Sequence, residues 1–222
     1  MKPLFLIDGD GVMLDYNQAF KEHYEKIYNK KLTRQKPKSY LAAEMWGVGD
    51  MSKEEYHYFK TESANLGMWE NMPALPDSLE FVKEISKYFT VWCLTSMPTQ
   101  YEQARLKNLQ NLGFPIERVI ATSRVGDENP KKKFVEKLKP MYFLDDLLQN
   151  FVDIKGKLKS QLVFLDWKHE DSPNQKYSHI NPHMTIHHYN DFFASSAYYI
   201  QQKKYLKINL SLEESPYLNH LG

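Results

Sequence analysis

The stretch Leu4–Val12 reads LFLIDGDGV and decides the fold. Its four leading apolar residues are typical of a buried strand, and two glycines then allow the chain to turn. Asp8 and Asp10 stand two residues apart where that strand would end. Because an unpaired carboxylate is costly to bury, two acids here indicate a site at the carboxyl edge of a sheet, where open α/β folds bind ligands.

An acid pair at a strand end has a specific chemical use. One carboxylate can act as a nucleophile toward phosphorus, and a second can protonate a leaving oxygen. The competing interpretation is an ordinary Asp-Gly turn exposed to solvent. A calcium loop is disfavoured, because Val12 stands where a further oxygen ligand would follow, no Glu closes the loop and a strand precedes it.

Composition limits the class of protein. The 222 residues suit one domain with an insertion or two small domains, and 42% hydrophobic residues are enough for a packed core. The formal net charge of +1 gives no support for nucleic acid or an anionic membrane as partner. The single cysteine, Cys93, lies in an apolar run and is predicted to be a core residue, which fits a reducing compartment. With no secretory signal pattern at the N-terminus, we expect a soluble, cytoplasmic protein.

Short apolar runs alternate with helical patterns along the chain. This alternation predicts an α/β fold with a Rossmann-like, mostly parallel sheet flanked by helices. Asp77 with Glu80, and Thr99 with Glu102, have capping-box spacing, and Gly113 suits the end of the second of these helices. The predicted strands are Leu4–Ile7, Thr90–Leu94, Val119–Ala121, Tyr142–Leu144 and Leu162–Leu165.

A long segment separates the first strand from the next βα unit. Two helical patterns, Asn17–Asn29 and Lys53–Leu66, dominate residues 16–76, which we interpret as a helical insertion beside a core formed by residues 1–15 and 77–205. The segment is rich in aromatic residues, most of which should build its own core, with one or two facing the site. Residues 206–222 are treated as a C-terminal tail.

The region after the fifth strand is polar. Asp166–Asn190 contains two prolines and five histidines and is interpreted as an irregular connection, followed by a last helix over Asp191–Gln202. The histidines at 179, 183, 187 and 188 raise the alternative of a zinc site. No second ligand set with metal spacing accompanies them, so zinc is disfavoured.

Two further places offer groups for a phosphate. Thr95 and Ser96 follow the second predicted strand, where hydroxyl and backbone N–H groups can bind phosphate oxygens, although such a pair is also common in turns. Asn129–Lys133 reads NPKKK and opens a helix. A lysine there opposes the helix dipole, and a bound phosphate would resolve that conflict.

A second acid pair completes the pattern. Asp145 and Asp146 follow the apolar run that ends at Leu144. Hard oxygen ligands of this kind suit Mg²⁺, which also takes water and substrate phosphate into its shell. One acid pair could be a turn, but two at two strand ends favour a site.

In this order the motifs resemble the haloacid dehalogenase (HAD) superfamily, across most of the chain. Its first motif is seen as Asp8–Val12, its second as Thr95, its third in the lysine run, and its fourth as Asp145 and Asp146. The first and fourth motifs are specific, whereas the second and third are weak alone. The insertion is similar to the cap of many members.

The resemblance implies a role for each residue. Asp8 would be the nucleophile, and Asp10 the general acid and base. Phosphate would be bound by Thr95, Ser96 and a lysine. We choose Lys131, whose Asn-Pro-Lys setting is similar to that of a bacterial branch of the superfamily, and Lys133 is the runner-up. Magnesium would be held by the Asp8 side chain, the Asp10 carbonyl and Asp146, with Asp145 and Asn150 in support.

The acid at position 10 narrows the reaction that the resemblance implies. Members that cleave carbon–halogen bonds lack it, because a halide needs no proton, so Asp10 favours phosphatases, nucleotidases and phosphomutases. The expected function is Mg²⁺-dependent hydrolysis of a small phosphate ester, with a nucleotide monophosphate as first candidate. A phosphomutase and a binding module with little turnover are the alternatives. Oligomeric state is left open.

Overall fold

The computed structural model describes residues 2–123, 129–154, 159–196, 199 and 201. Six strands within these residues form one sheet, in which every neighbouring pair is parallel. The order is β3-β2-β1-β4-β5-β6, and the α/β prediction with a parallel sheet is therefore confirmed. The strands are β1 (Leu4–Ile7), β2 (Thr90–Thr95), β3 (Val119–Ala121), β4 (Tyr142–Asp145), β5 (Gln161–Leu165) and β6 (Met184–Ile186).

Helices cover the sheet and form most of the segment between β1 and β2. Single 3₁₀ turns lie at Met68–Glu70, Thr99–Tyr101, Leu148–Phe151 and Pro173–Tyr177. The α-helices are α1 (Tyr16–Tyr28), α2 (Ala42–Met45), α3 (Lys53–Asn65), α4 (Ser78–Ser86), α5 (Glu102–Asn111), α6 (Lys132–Leu138) and α7 (Tyr189–Ser195).

The sheet is buried on both faces, which explains why β1 is apolar throughout. Phe5 and Ile7 belong to the larger core cluster, whereas Leu6 points to the opposite face and joins the smaller one. The ring centroid of Phe5 lies 5.5 Å from that of Phe89 and 5.4 Å from that of Phe192. Cys93 is fully buried, as predicted.

Residues 16–76, here called the helical segment, contain a third hydrophobic cluster. Phe20 on α1 and Phe59 on α3 meet at its centre with ring centroids 4.7 Å apart. The other buried members are Leu32, Ala42, Met45 and Trp46.

The prediction of an irregular connection after β5 is wrong in part. Met184–Ile186 forms the edge strand β6 and pairs with β5. Only Ile186 of these three residues is fully buried, so the strand has no apolar run that a sequence pattern would reveal.

Neither predicted capping box is formed, although α4 does begin directly after Asp77. Asp77 has a positive φ of 62° and its side chain makes no capping hydrogen bond. A 3₁₀ turn begins at Thr99 and α5 begins only at Glu102, whose carboxylate accepts a hydrogen bond from the Ala121 backbone at 2.8 Å. For Glu102, this bond to β3 replaces the local one. Gly113, with φ of 84°, does follow α5 as predicted.

The final helix begins two residues earlier than predicted. The α7 helix runs over Tyr189–Ser195, and Asp191 accepts hydrogen bonds from the backbone N–H groups of His187 and His188, at 2.8 and 2.9 Å. Most of the remaining predicted range, and all of residues 206–222, lie outside the described residues. None of the helices in the described part of the chain is long and apolar enough to span a bilayer.

Candidate active site

The strands bring the two acid pairs together. Because β1 lies between β2 and β4, the ends of all three strands meet at one edge of the sheet. The Asp8 backbone N–H donates to the Leu144 carbonyl at 3.0 Å, which places Asp8 beside Asp145. Strand β2 ends at Thr95 at the same edge. This is also the point where the strand order reverses, the usual binding position in open α/β sheets.

The loop after β1 is shaped to approach Asp146. Gly11 has a φ of 78°, and a Cβ at this position would collide with the Asp146 carboxylate. Two side chains from distant parts of the core hold the loop. Trp167 Nε1 donates to the Gly11 carbonyl at 2.7 Å, and the Tyr189 hydroxyl donates to the Val12 carbonyl at 2.6 Å.

Lys131 is the buried cation of the site. Its Nζ lies 2.8 Å from Asp8 Oδ1 and 2.8 Å from Asp145 Oδ2. The residue stands immediately before α6, and Asn129 Oδ1 accepts hydrogen bonds from the backbone N–H groups of Lys131 and Lys132, at 3.1 and 3.2 Å. The helix start therefore points this ammonium into the acid cluster.

Lys133 is placed elsewhere. It is exposed, and its Nζ lies over the ring of Phe134 at 5.1 Å. It does not line the cavity that contains Asp8, whereas Lys131 does. Lys131 is therefore the lysine of this run that faces the cavity, and its contact with a phosphate stays a prediction.

Asp145 and Asp146 have different surroundings. Both Asp145 oxygens accept hydrogen bonds from the Asn150 amide at 2.9 Å, and Leu147 N–H and Lys131 Nζ supply further donors. Asp146 is buried, but no lysine or arginine among the described residues forms an ion pair with it. Asp145 thus orients Lys131, and the charge of Asp146 is left without a cation.

Burial dominates the electrostatics of this cluster. It raises the pKa of Asp8 to about 7, with Asp145 adding to the rise and Lys131 opposing it. Burial also raises the pKa of Asp146 well above its usual value, and the charges of Asp145 and Asp8 raise it further. The pKa of Lys131 is raised because the attraction of Asp145 and Asp8 outweighs its own burial.

The acid cluster fits a divalent cation. Asp8, Asp145 and Asp146 can each present one oxygen within 4.8 Å of the others, and all three residues are buried. Asp8 Oδ1 already accepts hydrogen bonds from Gly9 N and Lys131, whereas no contact from the described residues reaches its Oδ2. Three buried carboxylates with one lysine carry excess negative charge, which a hard cation with oxygen ligands would balance.

Asp10 lines the cavity and forms an ion pair with a buried arginine. Arg105 on α5 is fully buried, and its Nη2 lies 2.8 Å from Asp10 Oδ1. The angle does not suit a directed hydrogen bond, so the contact is an ion pair. Arg105 also lies over the ring of Trp69 at 5.5 Å, and its Nη1 contacts Met72 Sδ at 3.4 Å.

Sequence reasoning missed Arg105. On α5, Arg105, Asn108 and Leu109 are buried together, at the i, i+3 and i+4 spacing of one helix face. From the sequence alone, a buried arginine on such a face cannot be distinguished from a solvent-exposed one. The spacing of Arg105 relative to Leu109 was the one signal that it lies on the buried face.

Asn174 was also missed as a supporting residue. Its Nδ2 donates to the Asp146 carbonyl at 2.9 Å, and its Oδ1 accepts from the Leu148 backbone at 2.8 Å. The side chain therefore fixes the backbone that follows β4. It belongs to the stretch interpreted from sequence as an irregular connection, where nothing predicted this contact.

A cavity of about 510 Å³ joins the acid cluster to the helical segment. Thr95 is almost fully buried, and the Ser96 hydroxyl lies 3.3 Å from Thr122 Oγ1. Four aromatic residues of the helical segment line the cavity, more than the one or two that were expected. These are Tyr16, Tyr40, Tyr56 and Trp69. The predicted site residues that line it are Asp8, Asp10, Thr95, Ser96, Lys131, Asp146 and Asn150.

The histidines of the polar stretch have structural contacts. His183 Nδ1 accepts from the Leu162 backbone at 3.0 Å, and His187 Nδ1 lies 3.1 Å from the Asp166 carbonyl. Among the described residues, Asp8, Asp145 and Asp146 form the group of acids, cysteines and histidines close enough to share a metal.

No protein-family model and no curated protein matches the sequence. Similar solved structures do exist. One is YfnB from Bacillus subtilis, assigned as a HAD-hydrolase and bound to magnesium, with a TM-score of 0.60, 13% identity, and coverage of 87% of this chain and 97% of that one.

Two other solved structures have the same fold. A HAD family hydrolase from Deinococcus radiodurans with bound phosphate and sodium has a TM-score of 0.57 and 10% identity, covering 88% of this chain and 95% of that one. An L-2-haloacid dehalogenase has a TM-score of 0.56 and 11% identity, covering 89% of this chain and all of that one. The chain therefore has the fold of the HAD-family hydrolases.

Proposed function

We propose that the protein is a Mg²⁺-dependent phosphomonoester hydrolase that forms an aspartyl phosphate on Asp8. The observation that carries the proposal is the pairing of Asp8 with Lys131, 2.8 Å away, at the strand edge where Asp10 and Asp146 also face the cavity. A nucleophile, a cation, a proton carrier and metal ligands are thus available within one site.

In the first step, an Asp8 oxygen forms a bond to phosphorus while the bond from phosphorus to the ester oxygen breaks. Asp10 donates a proton to that oxygen, which leaves as an alcohol. Lys131, Thr95 and Ser96 offer donors to the phosphoryl oxygens. In the second step, Asp10 takes a proton from water, the water oxygen attacks phosphorus, and inorganic phosphate leaves with Asp8 restored.

Asp8, Asp146 and the Asp10 carbonyl would hold the magnesium, with Asp145 acting mainly through Lys131. When bound, the metal would neutralise phosphate charge and reduce repulsion between the phosphate and Asp8. The chain's own part is to present buried oxygens, since ligands that need little reorganisation bind the cation best.

Asp10 favours a phosphatase over a dehalogenase, although the structure of a haloacid dehalogenase shares this fold. Halide release needs no proton, so a carboxylate that faces the cavity would have no catalytic role in a dehalogenase. The ion pair with Arg105 keeps this carboxylate in place. An alcohol leaving group gives the residue a function.

The helical segment, residues 16–76, would act as a cap that selects the substrate. Its aromatic lining suits a small phosphorylated metabolite with an apolar or planar part, and a nucleotide monophosphate remains the first candidate.

The test is phosphate release from a panel of nucleoside monophosphates and sugar phosphates, with Mg²⁺ or with EDTA. We expect release that requires Mg²⁺ and is abolished in Asp8→Asn, with the folded state of the variant checked by circular dichroism. Activity of Asp8→Asn near that of the parent protein would contradict the nucleophile assignment. An isomeric ester in place of free phosphate would identify a phosphomutase.

A further inference from the structure

The part of the cavity lined by the helical segment carries a lysine with an unusual environment. Lys60 on α3 lines the cavity, and its ammonium lies over three aromatic rings. The distances from Nζ to the ring centroids are 4.9 Å for Trp69, 5.1 Å for Tyr16 and 5.7 Å for Tyr56. Lys60 is partly buried, and each of the three ring faces attracts its ammonium.

The hydrogen-bonding capacity of Lys60 is not filled by the described residues. An ammonium has three donors, and the contact found is a long one, 3.4 Å to the Tyr16 hydroxyl. No carboxylate in the described part of the chain lies within ion-pair distance of it. Lys38, which lines the same cavity, is paired with Glu170 at 3.6 Å.

Lys60 also lies apart from the machinery assigned to the transferred phosphate. That group is served by Lys131 at the sheet edge, which is fully engaged with Asp8 and Asp145. Lys60 belongs to the helical segment, which as a cap would enclose the leaving group. A partly desolvated ammonium lining this cavity would bind an anion more strongly than a surface lysine does.

We infer that the substrate carries a second anionic group, a carboxylate or a second phosphate, on its leaving portion, and that Lys60 binds it. This inference rests on the proposed hydrolase function and specifies its substrate class. It favours phosphorylated carboxylic acids and bisphosphates over esters whose leaving group is uncharged. Nucleoside monophosphates belong to the disfavoured class, so the inference replaces them as the first candidate. Because a hydrogen bond to a charged group contributes about 1.5–3 kcal/mol, the second anion should raise kcat/KM by roughly 10- to 100-fold.

The experiment compares matched esters in the presence of Mg²⁺. 3-Phosphoglycerate against glycerol 3-phosphate tests the carboxylate, and fructose 1,6-bisphosphate against fructose 6-phosphate tests the second phosphate. We expect the ester with the second anionic group to be preferred in at least one pair, mainly through a lower KM. This preference should be lost in Lys60→Met. Which pair shows the effect distinguishes the two anions.

Lys21→Met is the matched control. Lys21 also lies over an aromatic ring of the helical segment, 5.6 Å from the centroid of Trp46, but it is paired with Glu25 and does not line the cavity. The preference should persist in this variant. Two results would overturn the inference while leaving the hydrolase intact. One is turnover without any preference for the esters that carry a second anionic group, and the other is an equal preference in the parent protein and Lys60→Met.

Binding to the Asp8→Asn protein separates this inference from the proposed function. Calorimetric titration with the same ester pairs needs no turnover. If the ester with the second anionic group binds more tightly, and Lys60→Met removes this difference in affinity, the inference is supported even if no phosphate is released. Equal affinities within both pairs would overturn it.

Discussion

At the scale of the residue, the candidate site is defined by how one lysine and one arginine are shared among four acids. Lys131 contacts Asp8 and Asp145, and Arg105 contacts Asp10. Asp146 is the acid left without either cation. This distribution separates the roles, because Asp8 and Asp10 are oriented by side chains while Asp146 remains available to a metal.

Replacing Arg105 should impair chemistry more than binding. In Arg105→Met the Asp10 carboxylate loses the cation that holds one of its oxygens, so we expect kcat to fall by about 10- to 100-fold with little change in KM. Steady-state kinetics, with thermal unfolding to check the fold, provides the measurement. Lys107→Met is the control, because Lys107 lies on the same helix but is exposed and pairs with Glu70.

A double-mutant cycle shows whether Arg105 acts through Asp10. If it does, Arg105→Met should have little further effect on kcat once Asp10 is changed to Asn. Equal fold-reductions in the parent and Asp10→Asn backgrounds would instead mean that Arg105 supports the fold in general.

At the scale of the element, the sequence predicted what is encoded locally. The apolar runs of β1 and β4 identified both strands and the acids that follow them, because a run of buried residues has few alternative interpretations. The β2, β3 and β5 ranges were also close to those of the structure. The short edge strand β6 was missed, because a strand with one fully buried residue leaves no periodic signal.

The sequence predicted only those site residues that stand next to the end of a strand or the start of a helix. Asp8, Asp145 and Lys131 fall next to element boundaries, which a sequence displays. Arg105 and Asn174 reach the site through tertiary contacts, across about a hundred residues or through a loop with no pattern of its own. Likewise, Asp77 does precede α4 as predicted, but its side chain makes no capping hydrogen bond, and its positive φ depends on the turn formed by the fold.

At the scale of the whole molecule, the buried acids make stability depend on pH and on metal. Burial raises the folded-state pKa of Asp8 from 3.8 to about 7 and that of Asp146 well above its usual value. The folded protein therefore holds these protons more tightly than the unfolded chain. The stability that they contribute is complete below the unfolded pKa and is lost as pH rises through the folded pKa.

Magnesium should offset this loss, because it competes with protons for the same carboxylates. We expect Mg²⁺ to raise the melting temperature more at about pH 8 than at about pH 5, where the acids hold their protons. At a hundred times its Kd the ion adds about 2.7 kcal/mol to the free energy of unfolding. Thermal unfolding with Mg²⁺ or EDTA at both pH values gives the comparison.

Asp146→Asn tests whether Asp146 is responsible for the stabilisation by Mg²⁺. Without metal it should be more stable than the parent protein above neutral pH, because a buried charge has been removed, and it should respond less to Mg²⁺. An equal response to Mg²⁺ at both pH values, or a full response in Asp146→Asn, would argue against Asp146 as a metal ligand.

The central claim is that Asp8 accepts the phosphoryl group, and trapping that group tests it most directly. The protein would be mixed with Mg²⁺ and its best ester, quenched rapidly in acid, digested and analysed by mass spectrometry. We predict one phosphoryl group on the peptide that contains Asp8. With p-nitrophenyl phosphate, whose leaving group needs no proton, this group should accumulate in Asp10→Asn, where activation of water is impaired. Phosphate release without any phosphopeptide, or with the group on a different residue, would contradict the account.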